Sequence, residues 1–198
     1  FDPLCPTLPC LAPPLLFWGA AGYNRGRKQG RGSAGKGVGA VYVTSSGVVE
    51  GVIADRFGKR GEQFGPGEMP TYSLPLQICD PPQGTRCYAL VLEDRDAFAV
   101  TPGFSWIHWT AANLQRDFLE ENESLSARDF VQGVNSWISE GLPLESCTGY
   151  GGMAPPDFPH QYELRVYALD SLLPLEQGFL YNELYRAMEG HLLDSCSL

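Results

Sequence analysis

The stretch from His160 to Asp170 constrains the fold more than any other part of the chain. His160, Tyr162, Leu164, Val166 and Ala168 alternate with Gln161, Glu163 and Arg165. In an extended strand successive side chains point to opposite faces, so this pattern gives one mostly apolar face and one charged face. Such a strand predicts an antiparallel sheet with a core on one side and solvent on the other. His160 and Tyr162 then lie at the end of the inward face, where two polar rings border the core.

Short β-branched or apolar runs recur between turn signals along the rest of the body. Val41–Thr44, Val48–Ile53, Ser73–Cys79, Arg86–Glu93 and Phe104–Ala112 read as strands. Asp80-Pro81-Pro82-Gln83-Gly84 reads as a turn, flanked by Cys79 and Cys87. Two segments predict helices. One is Ala127–Ile138. The other is Gly178–Leu193, where Leu180, Leu184, Tyr185, Met188 and Leu192 form a stripe at helical spacing. The expected class is mostly β with a few peripheral helices.

Residues 1–39 differ from the rest. The first 22 are Pro-rich and apolar, and the next 17 are rich in Gly, Arg and Lys. They read as a disordered or spurious tail ahead of a single domain spanning 40–198. The apolar part lacks a basic leader and makes a poor signal peptide, so the expected location is cytoplasmic.

Charge limits the partners. The chain carries a formal net charge of −9, and the five basic residues between Arg25 and Lys36 make the body more acidic still. Nucleic acid is therefore not an expected partner of the domain. No run of about twenty apolar residues predicts a membrane span. The six cysteines show no CxxC pair or zinc-like spacing and read as free thiols. Gly30–Gly37 has the glycines and lysine of a phosphate loop, but it lacks the terminal Ser/Thr and the preceding strand. No Gly-x-Ser-x-Gly elbow is present, which removes an ordinary α/β-hydrolase.

Three blocks carry chemistry. Leu90–Ala97 ends an apolar run with Asp94 and Asp96. Trp106-Ile107-His108-Trp109 places a histidine between indoles. Tyr150–Tyr162 contains Gly151, Gly152, Pro155, Pro156, His160 and Tyr162. Imidazoles, a phenol and carboxylates on converging strands would form a small polar pocket. Such a pocket suits a phosphate-like anion, a metal or acid–base chemistry. Strict alternation puts Trp106 on the same side as His108 and Trp109 on the opposite side.

In this order the blocks resemble the phosphatidylethanolamine-binding (Raf kinase inhibitor protein-like) family, in its bacterial branch. Asp94-Arg95-Asp96-Ala97-Phe98 stands for the family's Asp-Pro-Asp-x-Pro, with Arg95 and Phe98 replacing both prolines. Trp106–Trp109 matches its Trp-x-His-Trp/Phe, and Gly152–Pro156 with His160 and Tyr162 matches its Gly-x-x-Pro-Pro and His-x-Tyr. The resemblance runs from about Tyr72 to Leu193. It implies a two-sheet antiparallel β-sandwich and a small anion pocket at one end. The implied ligand-binding residues are Asp94, Asp96, Trp106, His108, Pro155, Pro156, His160 and Tyr162. His108, His160 and Tyr162 would donate toward a phosphate or carboxylate, and Asp94 and Asp96 would orient them.

The implied function is binding of a small phosphorylated or otherwise anionic ligand, regulating a kinase or protease partner, without a cofactor, metal or catalytic residue. Bacterial relatives are often dimers, so a homodimer is also expected. The alternative is a metal-dependent phosphoesterase or esterase using the same His/Asp groups. A third reading is a scaffold that acts through its surface, with the pocket vestigial. His191, beside Gly190, reads as structural.

Overall fold

The computed structural model describes residues 40–198. The expectation for residues 1–39 lies outside the described residues. Eleven elements follow in order: β1 Tyr42–Thr44, β2 Val48–Val49, β3 Val52–Ile53, β4 Leu76–Cys79, β5 Cys87–Asp94, β6 Trp106–Leu114, β7 Phe118–Leu119, β8 Val131–Gln132, β9 Tyr162–Leu169, α1 Tyr181–Met188 and β10 Leu192–Ser197. Short 3-10 turns occupy several connections.

Five strands form one sheet in the order β10-β9-β5-β6-β8, three form a second in the order β1-β4-β7, and β2 pairs with β3 as a small hairpin. Every paired strand is antiparallel. The two larger sheets share one core, with Val43, Leu76, Ile78 and Leu119 from the smaller sheet. Leu90, Leu92, Trp109, Ala111, Leu164, Val166 and Ala168 come from the larger. Each fully buried aliphatic side chain there is worth about 1.5–3 kcal/mol relative to exposure. This is the mostly β, two-sheet sandwich expected from the strand pattern and the resemblance.

The outer face of the larger sheet is solvated over only part of its length. Near the start of β9, Glu163 and Arg165 pair with each other and with Arg95 and Glu93. Farther along, Tyr167 and Leu169 join Cys87, Ala89 and Val91 beneath Leu173, Phe179, Leu184 and Met188. The helix stripe thus buries the far half of a face that alternation assigns to water.

Two helix expectations are corrected. Ala127–Ile138 is not a helix: Val131–Gln132 is an edge strand on β6, followed by a 3-10 turn at Ser136–Glu140. Polar side chains decide the matter. Buried Gln132 accepts from the Trp109 indole at 2.8 Å and from the Ser124 hydroxyl at 2.6 Å, which ties it to the sheet. The Asn135 side chain accepts from the Trp137 N–H at 3.0 Å and so starts a new turn. The second helix is limited to Tyr181–Met188. It opens with Glu183 accepting from the Leu180 N–H at 2.7 Å and is followed by Gly190 at φ +80°. The chain then turns back as β10 to pair with β9.

The opposed-tryptophan expectation is also corrected. Leu92 pairs with Trp109 but the next residue, Glu93, pairs with Ile107, so His108 is an extra residue in β6. This bulge breaks the alternation. His108 packs edge-on against Tyr162 while Trp109 enters the same inter-sheet core. Among the described residues Cys79, Cys87, Cys147 and Cys196 are free thiols.

Candidate functional site: a histidine–carboxylate cavity at the end of the central strand

β5 is the middle strand of the larger sheet, and Asp94 is its last residue. Asp94 lies opposite Trp106 on β6 and opposite Tyr162 at the start of β9. The carboxylate is thereby buried between two aromatic neighbours. The bulge turns His108 into the same corner.

Asp94 organises the corner. One carboxylate oxygen, Oδ2, accepts from His160 Nδ1 at 2.7 Å and stands 4.0 Å from His108 Nε2; the other accepts from the Asp96 N–H at 2.8 Å. Burial alone would raise the Asp94 pKa. The two histidines and the Asp96 N–H outweigh it and hold the carboxyl below its ordinary value. His160 has its second nitrogen, Nε2, 2.9 Å from Asp157 Oδ1. Burial lowers the His160 pKa, but the bonds to Asp94 and Asp157 prevail and raise it. With a carboxylate on each nitrogen, His160 has its charged form favoured.

His108 is held differently. Its Nδ1 donates to the Gly151 carbonyl at 2.6 Å, and the His108 carbonyl accepts from the Gly151 N–H at 2.8 Å. Nε2 is buried without a hydrogen-bond partner, as are Trp137 Nε1 and the Tyr162 hydroxyl. Burial, with Asp94 and Asp96 nearby, pushes the Tyr162 phenol pKa up, so it stays protonated.

The Gly151-Gly152 pair permits this approach. A Cβ on Gly151 would fall 2.5 Å from Trp137 Cδ1, and one on Gly152 would fall 2.3 Å from the Phe57 carbonyl. No larger residue fits without displacing a cavity wall or the backbone.

These groups surround a cavity of about 110 Å³ lined by Asp94, Trp106, His108, Pro155, Pro156 and His160 among others. Six of the eight residues predicted from sequence therefore come together on its wall. Asp96 and Tyr162 are not lining residues. They border a wider groove on the other side of Pro155, Pro156 and His160. Asp96 accepts from the Gln161 N–H at 2.8 Å and so fixes the backbone beside His160.

Sequence reasoning missed Ala97, Val100, Trp137, Glu140 and Ala154, all of which line the cavity. The Asn135 cap was the available signal for Trp137, whose indole meets Trp106 edge-on at 6.0 Å. Glu140 falls in a stretch that matches none of the three blocks. His191 sits apart, bonded to Asp170 at 2.9 Å.

Residues 44–198 match the family model for phosphatidylethanolamine-binding protein. An uncharacterized Bacillus subtilis protein, YxkA, is 40% identical over 156 residues, covering 74% of this chain and 90% of its own length. The crystal structure of a phosphatidylethanolamine-binding protein homologue from Chlamydia trachomatis, CT736, superimposes with a TM-score of 0.66 and 30% identity over 80% of this chain and 94% of that one. Escherichia coli YbcL shares the fold, with a TM-score of 0.64 and 23% identity over 81% of this chain and 96% of that one. The chain belongs to the phosphatidylethanolamine-binding protein family, in its bacterial branch.

Proposed function

We propose that this protein binds a small ligand through a phosphate or similar anionic group seated in the cavity beside His108. The observation that carries the reading is that two of the lining residues, His108 and Trp137, each keep a buried polar atom without a partner, Nε2 of the one and Nε1 of the other. A buried polar atom left unpaired costs about 1–3 kcal/mol, so a wall with two of them favours a polar occupant. His160, whose charged form is favoured by Asp94 and Asp157, lines the same wall. His160 cannot donate to the ligand without giving up Asp94 or Asp157, so its role is to position and charge the wall.

A kinase or protease partner belongs to the same reading. Phe98, Phe104 and Phe158 are exposed on segments that border the cavity. A ligand presented on a protein surface would meet these rings around it. Cytoplasmic action and a homodimer are also part of this proposal. The metal-dependent hydrolase alternative lacks a donor set: among the described residues no group of three His, Cys, Asp or Glu side chains could hold a metal ion.

Calorimetric titration with inorganic phosphate tests the binding. One saturable site in the wild type, lost in His108→Ala, is the expected result. Equal binding by the wild type and the variant would remove His108 from the site.

A further inference from the structure

We propose that residues 156–159 form a proton-operated strap between the cavity and the wider groove, latched by His160 while its ring is charged and released when the ring is neutral. Pro156 and His160 border both spaces, so this short segment is the partition between them.

The strap is anchored at its ends and held only by side chains in between. Before it, the Met153 carbonyl accepts from the Lys59 N–H at 2.8 Å, and the Lys59 ammonium donates to the Pro155 carbonyl. After it, the Gln161 N–H donates to Asp96 Oδ2 at 2.8 Å. Among the described residues, 154–159 make no backbone–backbone hydrogen bond, and Pro155, Pro156 and Pro159 have no N–H to give. The middle closes through Asp157, whose Oδ1 takes His160 Nε2 at 2.9 Å and the Phe158 N–H at 2.9 Å. Phe158 then lies edge-on to the His160 ring, with centroids 4.9 Å apart.

The proton count makes this closure conditional. An imidazolium has two N–H groups for its two carboxylates. The neutral ring has one, and its other nitrogen turns a lone pair on an acceptor. The Asp94 side chain is 5% exposed and the Asp157 side chain 43%. Water can replace the bond to Asp157 but not the bond to Asp94, so the remaining proton stays on Nδ1 and Asp157 lets go. A partly exposed pair of this kind is weak enough to open. Asp157 carries Phe158 with it, and the cavity opens to the groove.

The other charged groups nearby leave the latch to His160. His108 on β6 faces Asp94 Oδ2 at 4.0 Å, and Glu140 lines the cavity from its 3-10 turn. Tyr162 on β9, with its ring centroid 6.4 Å from that of His160, stays protonated. Along the groove, Arg95 pairs with Glu93 and Glu163, and Arg60 pairs with Asp55. Among the described residues none of these is bonded to Asp157. Burial lowers the His160 pKa, but Asp94 and Asp157 prevail and raise it. The strap is therefore closed below about pH 6.5 and released as pH rises through the raised value.

Backbone ¹⁵N relaxation of the whole ligand-free protein, followed from about pH 5.5 to 9 beside the ¹⁵N signals of the His160 ring, tests the latch. The heteronuclear NOE of Phe158 should match that of the strands at the acidic end and fall along the His160 titration curve. Asp157→Ala should leave Phe158 mobile at every pH, with the His160 ring titrating at lower pH than in the wild type. Asp157→Asn, whose amide accepts from the charged ring or donates to the neutral one, should keep Phe158 ordered throughout. A Phe158 NOE that stays constant across the wild-type range, falls away from the His160 midpoint, or stays high in Asp157→Ala would overturn the strap. No anion is added, so the phosphate-group reading stands or falls separately.

Discussion

Asp94 Oδ2 accepts from His160 Nδ1 at 2.7 Å, joining the last residue of the central strand to the residue that leads into β9. The same oxygen is the nearest acidic neighbour of His108, whose other nitrogen is bound to Gly151. One carboxylate thus holds one imidazole by a hydrogen bond and faces a second from another element. The fold places it where three strands end side by side, so the geometry of the cavity is set by the sheet.

Asp94→Asn should destabilise the protein by about 3 kcal/mol, because it leaves the His160 cation without its buried partner. Denaturant unfolding near neutral pH measures it. The Asp94 pKa is lowered on folding. Its contribution is present above the ordinary carboxylate value of about 4 and lost as pH falls through the lower folded value. The variant should lose that component of acid sensitivity.

His160 contributes with the opposite sign. Its pKa is raised on folding. The stabilisation is therefore complete below about pH 6.5 and lost as pH rises through the raised folded value. Melting curves collected across that range should show the decline in the wild type. His160→Gln should be less stable at the acidic end and flatter across the range.

Gly152→Ala should cost about 1–3 kcal/mol, since its Cβ would meet the Phe57 carbonyl at 2.3 Å and Pro70 Cβ at 2.8 Å. Backbone cannot yield as a flexible side chain can. A midpoint shift in denaturant, with an unchanged slope, is the expected signature. A wild-type midpoint would show that this close approach is relaxed in solution.

Glu140→Gln should raise phosphate affinity by about threefold by removing a carboxylate from the cavity lining. The gain should shrink with added salt, because Glu140 is exposed to solvent. Calorimetry at low and high ionic strength reads both effects. Unchanged affinity would place Glu140 outside the ligand's field.

The sheet and most of the site were legible because period-two alternation and short polar blocks are local signals. The inward face from Tyr162 to Ala168 lies in or against the shared core as read. The His108 bulge was not legible, since an extra residue leaves no mark on a strand's composition. Ala127–Ile138 misled because its apolar spacing outweighed Gly133, where a Cβ would meet Thr110 Oγ1 at 2.3 Å. β10 was hidden by a helical stripe that continues through Leu192 beyond the turn at Gly190. Asn135 marks the turn that carries Trp137 and Glu140, but their approach to the cavity is a tertiary contact.

The most direct test of the ligand site is long-range ¹H–¹⁵N NMR of the three histidine rings during titration with inorganic phosphate, near pH 6.5. His108 Nε2 should shift saturably while its Nδ1 keeps the signature of a bound N–H, and His191, paired with Asp170 away from the cavity, should stay still. An unmoved His108, or three rings drifting together without saturation, would contradict a phosphate site in this cavity.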